Sequence, residues 1–219
     1  VGMTAFATPK RSRPYTELAA EAARQALADA GVDYPQIQQV YAGYVVGDST
    51  SGQRAVYEVG LTGAPVINVN NNCSTGSTAL FLARQAVESG AVECALALGF
   101  EQMPAGALAE QFTDRPSPID PFLAVADRRQ GPSDTPMALR LFGSAGRDYA
   151  ATHGTKLETF AKIAVKARAH AAQNPNAVFR DALSVEEVMA SPMMYAPVLT
   201  RLQCCPPTCG AAAAVVVSD

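Results

Sequence analysis

Two short, unbroken apolar runs constrain the fold most: Glu93–Phe100 (ECALALGF) and Gly210–Val217 (GAAAAVVV). Neither has a polar face, the pattern of a sheet strand covered on both sides. Shorter strand signals precede them. Val1-Gly2-Met3 reads as the tail of a strand, Gln39–Val46 is β-branched and aromatic, and Pro65–Val69 is apolar at Val66, Ile67 and Val69. Helical patterns separate these runs. One starts near Thr16, the predicted N-cap, with Glu17 in its first turn, and Gly31 stops it. Leu18, Ala22, Ala26 and Leu27 repeat along it at helical spacing. A short helix is expected over Gln53–Val59, and a longer one over Thr75–Ser89, closed by Gly90. Strands alternating with helices imply a layered α/β domain.

The order changes between the two apolar runs. From Pro104 to about Arg201 no buried strand is predicted. Prolines punctuate the first part, and helices are expected at Thr135–His153, Lys156–Gln173 and Val185–Ala190. This segment reads as an insertion between two strands of one sheet. The expected organisation is a core over 1–103, the insertion over 104–201, and a return to the core over 202–219.

Bulk properties exclude some functions. Of 219 residues, 48% are hydrophobic and 17% charged, which supports a packed core. Net charge is -3 with no basic stripe, so nucleic acid is not an expected partner. No apolar run approaches the roughly 20 residues of a membrane-spanning helix. The chain opens at Val1 without an initiator Met, so it carries no test of a leader segment.

The five cysteines are odd in number and irregularly spaced, which favours free thiols over a disulfide framework. Cys204, Cys205 and Cys209 cluster but lack a nearby histidine to complete a four-ligand zinc site, so no metal is expected.

Cys73 stands apart in Asn68–Ala79, NVNNNCSTGSTA. A strand ends just before it and a helix begins just after. Free N–H groups and the helix dipole at such a turn stabilise an anion, and so favour the nucleophilic thiolate. The same N–H groups can face an oxyanion. Gly76, Ser74, Thr75, Ser77 and Thr78 leave room for a substrate. Against this stands the commoner role of a free cysteine, a small buried hydrophobe, which is the expected role of Cys94.

The stretch NNNCSTGSTALFLARQ followed by ALGFEQM resembles the thiolase superfamily, and within it the sterol carrier protein x type thiolases and bacterial lipid-transfer proteins. GMTAF, FGSAGRDYAATHGTKLETFAKIAVKARAHAAQNP, VMAS, LQCCP and GAAAA extend the resemblance over essentially the whole chain. The resemblance implies a thiolase-like three-layer α/β/α half with a mixed five-stranded sheet and a helical loop-domain insertion. It gives Cys73 the role of acyl acceptor from a coenzyme A thioester, with coenzyme A as substrate and no covalently bound cofactor. It implies pairing of Pro65–Asn70 with a second copy across a two-fold axis.

In that family a second half supplies a histidine, a second cysteine and oxyanion donors. The expectation here is that this half is absent, leaving the chain incomplete alone or completed by another chain. His153 and His170 both fall in the insertion and are not expected to be catalytic. Cys209 replaces the family's acidic turn residue. Lys162, Lys166 and Arg168 are candidates for contacting a coenzyme A phosphate, weighed against a solvated charged face. Glu101 is expected to be structural. Met103, Met137, Met189, Met193 and Met194 are candidates for an acyl pocket, weighed against core filling. Two other readings stay open: a non-catalytic acyl- or sterol-binding or assembly subunit, and a steroid side-chain coenzyme A lyase working with an OB-fold partner. The expected location is the cytoplasm, or the peroxisome in a eukaryote.

Overall fold

The computed structural model describes residues 1–107, 109 and 112–218. In chain order the elements are β1 (Gly2–Met3), α1 (Tyr15–Ala30), β2 (Gln39–Gly43), α2 (Ser51–Tyr57), β3 (Val66–Val69), α3 (Thr75–Glu88) and β4 (Cys94–Glu101). Then come α4 (Asp120–Gln130), α5 (Met137–His153), α6 (Leu157–Ala172), α7 (Val185–Ala190), β5 (Met193–Tyr195), β6 (Leu199–Thr200) and β7 (Gly210–Val217). Two compact units result: Val1–Ala107 with the segment from Pro207 on, and the stretch between them.

In the first unit the five strands run in the order β1-β7-β4-β2-β3. β2 pairs parallel with β3 and β4, while β7 is antiparallel to β4 and β1, so the sheet is mixed. The strand period of two divides β4 between two cores. Leu96, Leu98 and Phe100 join the α1 side with Val40, Ala42 and Ala22, while Ala95 and Ala97 join the α3 side with Ala83 and Ala86. The result is the expected three-layer α/β/α arrangement. Small residues bring the layers close. A Cβ built on Gly2 would lie 2.1 Å from the Ala22 carbonyl oxygen on α1.

Several boundaries differ from expectation. α1 starts at Tyr15, and Thr16 lies inside it rather than capping it. Pro14 occupies the cap position, and its carbonyl accepts the Glu17 and Leu18 N–H groups. Gly31 closes the helix as expected, in the left-handed conformation at φ +64°. β2 ends at Gly43, not Val46, because the Val45 and Val46 N–H groups donate to the Glu101 carboxylate instead of a ladder partner. α2 begins earlier than expected, at Ser51.

The second unit contains two elements that periodicity did not predict. α4 follows the proline-rich stretch, with Pro121 in its first turn where no intrahelical N–H is required. The β5–β6 pair is only three and two residues long and mostly not buried, and Pro192 and Pro197 break its short apolar stretch, so no strand pattern stands out. The Tyr195 ring packs against α5 at Gly143, where a Cβ would be 2.4 Å from it, and its hydroxyl donates to Gln130 Oε1 at 2.8 Å. Buried Arg140 pairs with Asp127 and donates to the Gly131 carbonyl, tying α5 to α4.

Candidate active site at the Cys73 elbow

β3 ends at Val69 and α3 starts at Thr75, so five residues turn the chain back onto the sheet. Cys73 lies in this elbow, exposed, immediately before the N-cap Ser74. Asn72 has φ +48°, the left-handed conformation that asparagine tolerates better than most residues. Hydrogen bonds close the turn on itself. The Asn71 N–H donates to Thr75 Oγ1 at 2.8 Å, and Thr75 Oγ1 donates to the Asn72 carbonyl at 2.6 Å. Asn71 Nδ2 donates to Thr78 Oγ1 at 2.9 Å, and Ser74 Oγ donates to the Asn71 carbonyl at 2.9 Å.

The sheet beneath is shaped to receive α3. Gly43 and Gly99 sit side by side on β2 and β4. A Cβ on Gly43 would lie 2.9 Å from Thr75 Cγ2, and one on Gly99 would lie 3.5 Å from Gly76 Cα. Above, Gly76 faces open space, with nothing within 4 Å of a Cβ built there. The Thr75 N–H at the start of α3 donates to the Asn72 carbonyl at 3.1 Å, whereas the next first-turn N–H groups, of Gly76 and Ser77, have no intrahelical partner by helix geometry. An exposed thiol beside them has the setting of a nucleophile whose reaction product carries an oxyanion.

The other thiols have different surroundings. Cys94 is buried in β4, and burial pushes its thiol up. Cys209 is 1% exposed, and its Sγ accepts the Met103 N–H at 3.2 Å. Cys204 is half-buried, and burial followed by the neighbouring Cys205 pushes its thiol up. Cys205 alone shares the exposure of Cys73. No group of three or more metal-ligating side chains is present among the described residues.

The remaining candidates separate. Lys162 and Lys166 are exposed on α6 and form no ion pair among the described residues. Arg168 is engaged elsewhere: its guanidinium stacks over Phe179 at 5.0 Å and donates to the Asp181 carbonyl at 3.4 Å. All three belong to the second unit and Cys73 to the first. His153 is exposed at the end of α5 against Tyr149, and His170 is exposed in the last turn of α6. Glu101 has the structural partners described above. Met193 and Met194 are exposed rather than core-filling. Sequence reasoning passed over the roles of Asn72, Thr75 and Gly43. An asparagine just before the cysteine was the available signal, because that residue type is enriched at positive φ.

The thiolase N-terminal domain family matches residues 1–190. The chain belongs to that family. It is 50% identical over 222 residues to sterol carrier protein 2 of Homo sapiens, covering 100% of this chain and 40% of that protein. It is 31% identical over 222 residues to the benzoylsuccinyl-CoA thiolase subunit BbsB of Thauera aromatica, covering 100% of this chain and 54% of that one. Among solved structures, the Ltp2-ChsH2(DUF35) aldolase superposes with a TM-score of 0.77 over 99% of this chain and 54% of its own, at 24% identity. That likeness concerns the fold. The chain thus spans about half the length of these relatives or less. No helix among the described residues is long and apolar enough to cross a membrane.

Proposed function

We propose that this chain carries the acyl-accepting cysteine of a thiolase-type acyltransferase, with Cys73 as nucleophile and a 3-ketoacyl-coenzyme A as substrate. The exposed Cys73 on a hydrogen-bonded elbow at the start of α3 carries this reading. Family membership and the thiolase-named relative support it. In the forward step the Cys73 thiolate attacks the 3-keto carbon, forming a tetrahedral oxyanion that the Gly76 and Ser77 N–H groups of the first turn are proposed to stabilise. The bond between the 2- and 3-carbons breaks, the acyl group stays on Sγ, and the departing acetyl-coenzyme A carbanion takes a proton. A second coenzyme A thiol then removes the acyl group. The exposed Lys162 and Lys166 ammonium groups are proposed to meet coenzyme A phosphates. The edge strand β3 is proposed to pair with its copy in a homodimer.

The test is incubation with acetoacetyl-coenzyme A followed by intact-mass measurement and peptide mapping. A gain of one acetyl group on Cys73, absent in Cys73→Ala, is the expected result. Acetylation elsewhere, or none, overturns the reading.

A second reading, a non-catalytic sterol- or acyl-binding module, draws on the name of the 50% identical relatives. It predicts ligand binding that Cys73→Ala leaves intact and no acyl-enzyme.

A further inference from the structure

Resting on the reading of Cys73 as nucleophile, we propose that Thr75 is the positioning residue of the elbow. Its hydroxyl sets the direction in which Cys73 points, and its methyl seats α3 on the sheet. The Cys73 side chain has almost nothing else to orient it. Among the described residues its one polar contact is a distant one, Sγ to Asn72 Oδ1 at 3.9 Å. Its direction is therefore inherited from the backbone before it.

That backbone is in an unfavourable state. Asn72 at φ +48° persists only where its surroundings hold it. Thr75 grips the chain on both sides of the Asn71–Asn72 pair. Its Oγ1 accepts the N–H of Asn71 and donates to the carbonyl of Asn72. One hydroxyl thus spans residues 71 and 72, and the Thr75 backbone N–H, donating to the same Asn72 carbonyl at 3.1 Å, helps it fix the peptide plane that leads into Cys73. The hydroxyl can do this because Thr75 is itself held. It is 5% exposed, and its Cγ2 presses on the bare backbone of Gly43. The two branches of one side chain divide the work between loop and sheet.

The two branches are separable by substitution. Thr75→Val keeps the shape that meets Gly43 and deletes the hydroxyl, while Thr75→Ser keeps the hydroxyl and deletes the methyl. The readout is the rate of iodoacetamide labelling at Cys73 divided by that at the exposed Cys205 in the same folded molecule. Global stability cancels from this ratio. Thr75→Val is expected to lower it about 10-fold, since two hydrogen bonds that orient the loop are lost. Thr75→Ser is expected to restore it to within about threefold of the unaltered chain.

A Val variant with the unaltered ratio, or a Ser variant as slow as Val, overturns the proposal. If Thr75→Val does not fold, the unaltered chain supplies the test. Its Asn71 amide, bonded to Thr75 Oγ1, is expected to exchange slowly with solvent deuterium. Exchange at the rate of an unstructured peptide overturns the proposal equally. Labelling needs no coenzyme A ester, so the two claims fail separately. Fast alkylation of Cys73 without acetylation by acetoacetyl-coenzyme A removes the acyl-transfer reading and leaves the positioning role intact.

Discussion

The Cys209 thiol accepts the backbone N–H of Met103 at 3.2 Å, tying the entry of β7 to the exit of β4. The Cys209 backbone simultaneously exchanges hydrogen bonds with Ala7 at 2.8 and 2.9 Å. Three segments far apart in sequence meet at one buried cysteine, in the position where the resemblance led us to expect an acidic turn residue. Cys209→Ala leaves the Met103 N–H without its acceptor and opens a small void. The expected cost is about 1–3 kcal/mol. Cys209→Ser, which keeps an acceptor, is expected to lose less. Urea unfolding monitored by circular dichroism decides, and an Ala variant as stable as the unaltered chain would count against this role for the sulfur.

Thiol exposure sets a second expectation. Only Cys73 and Cys205 are exposed, while Cys94 and Cys209 are buried. Limiting iodoacetamide on the folded chain should label Cys73 first and Cys205 next. Cys94 and Cys209 should react only after denaturation. Labelling of either buried thiol ahead of Cys73 contradicts the assignment of the nucleophile. Because Cys73 makes few contacts, Cys73→Ala is expected to change stability by under about 0.5 kcal/mol while abolishing acylation.

Glu101 predicts a pH dependence. Burial pushes its carboxyl up from the ordinary 4.5, and hydrogen bonds from the Val46 and Val45 N–H groups offset part of that rise. The folded chain therefore holds this proton to higher pH than the unfolded chain does. The stabilisation from proton binding is complete below the ordinary value and is lost as pH rises through the folded-state value. Glu101→Gln removes this slope. It also presents one acceptor to two N–H donors, which costs about 1–3 kcal/mol. Unfolding midpoints measured from about pH 4 to 7 should fall more steeply with rising pH for the unaltered chain than for the variant. Parallel profiles would show that Glu101 does not titrate as its surroundings dictate.

β3 is the last strand of its sheet, and Ile67 is exposed on it. Gln53 Nε2 donates to the Val66 carbonyl and covers only part of the strand edge. An apolar edge left open is a template for another chain. Pairing with a second copy predicts a dimer in light scattering that Ile67→Lys converts to monomer. A monodisperse monomer before substitution would refute the pairing.

What the chain order alone determined was local. The runs Glu93–Phe100 and Gly210–Val217 became β4 and β7 because an apolar run of that length and composition has few other ways to be buried. Gly31 ended α1 because glycine adopts a left-handed backbone without steric cost. The polar stretch around Cys73 became a turn into a helix because small polar residues separate a strand pattern from a helical one. Tertiary structure decided what depends on partners distant in sequence. It placed β7 between β1 and β4, cut β2 short by offering the Glu101 carboxylate to Val45 and Val46, and seated Thr75 at the start of α3 against Gly43 of β2. It also selected α4 and the short β5–β6 pair, whose residues carry no periodic apolar signal. A helix or strand pattern is a property of neighbouring residues. Which N–H meets which oxygen across the fold depends on what else has been buried there.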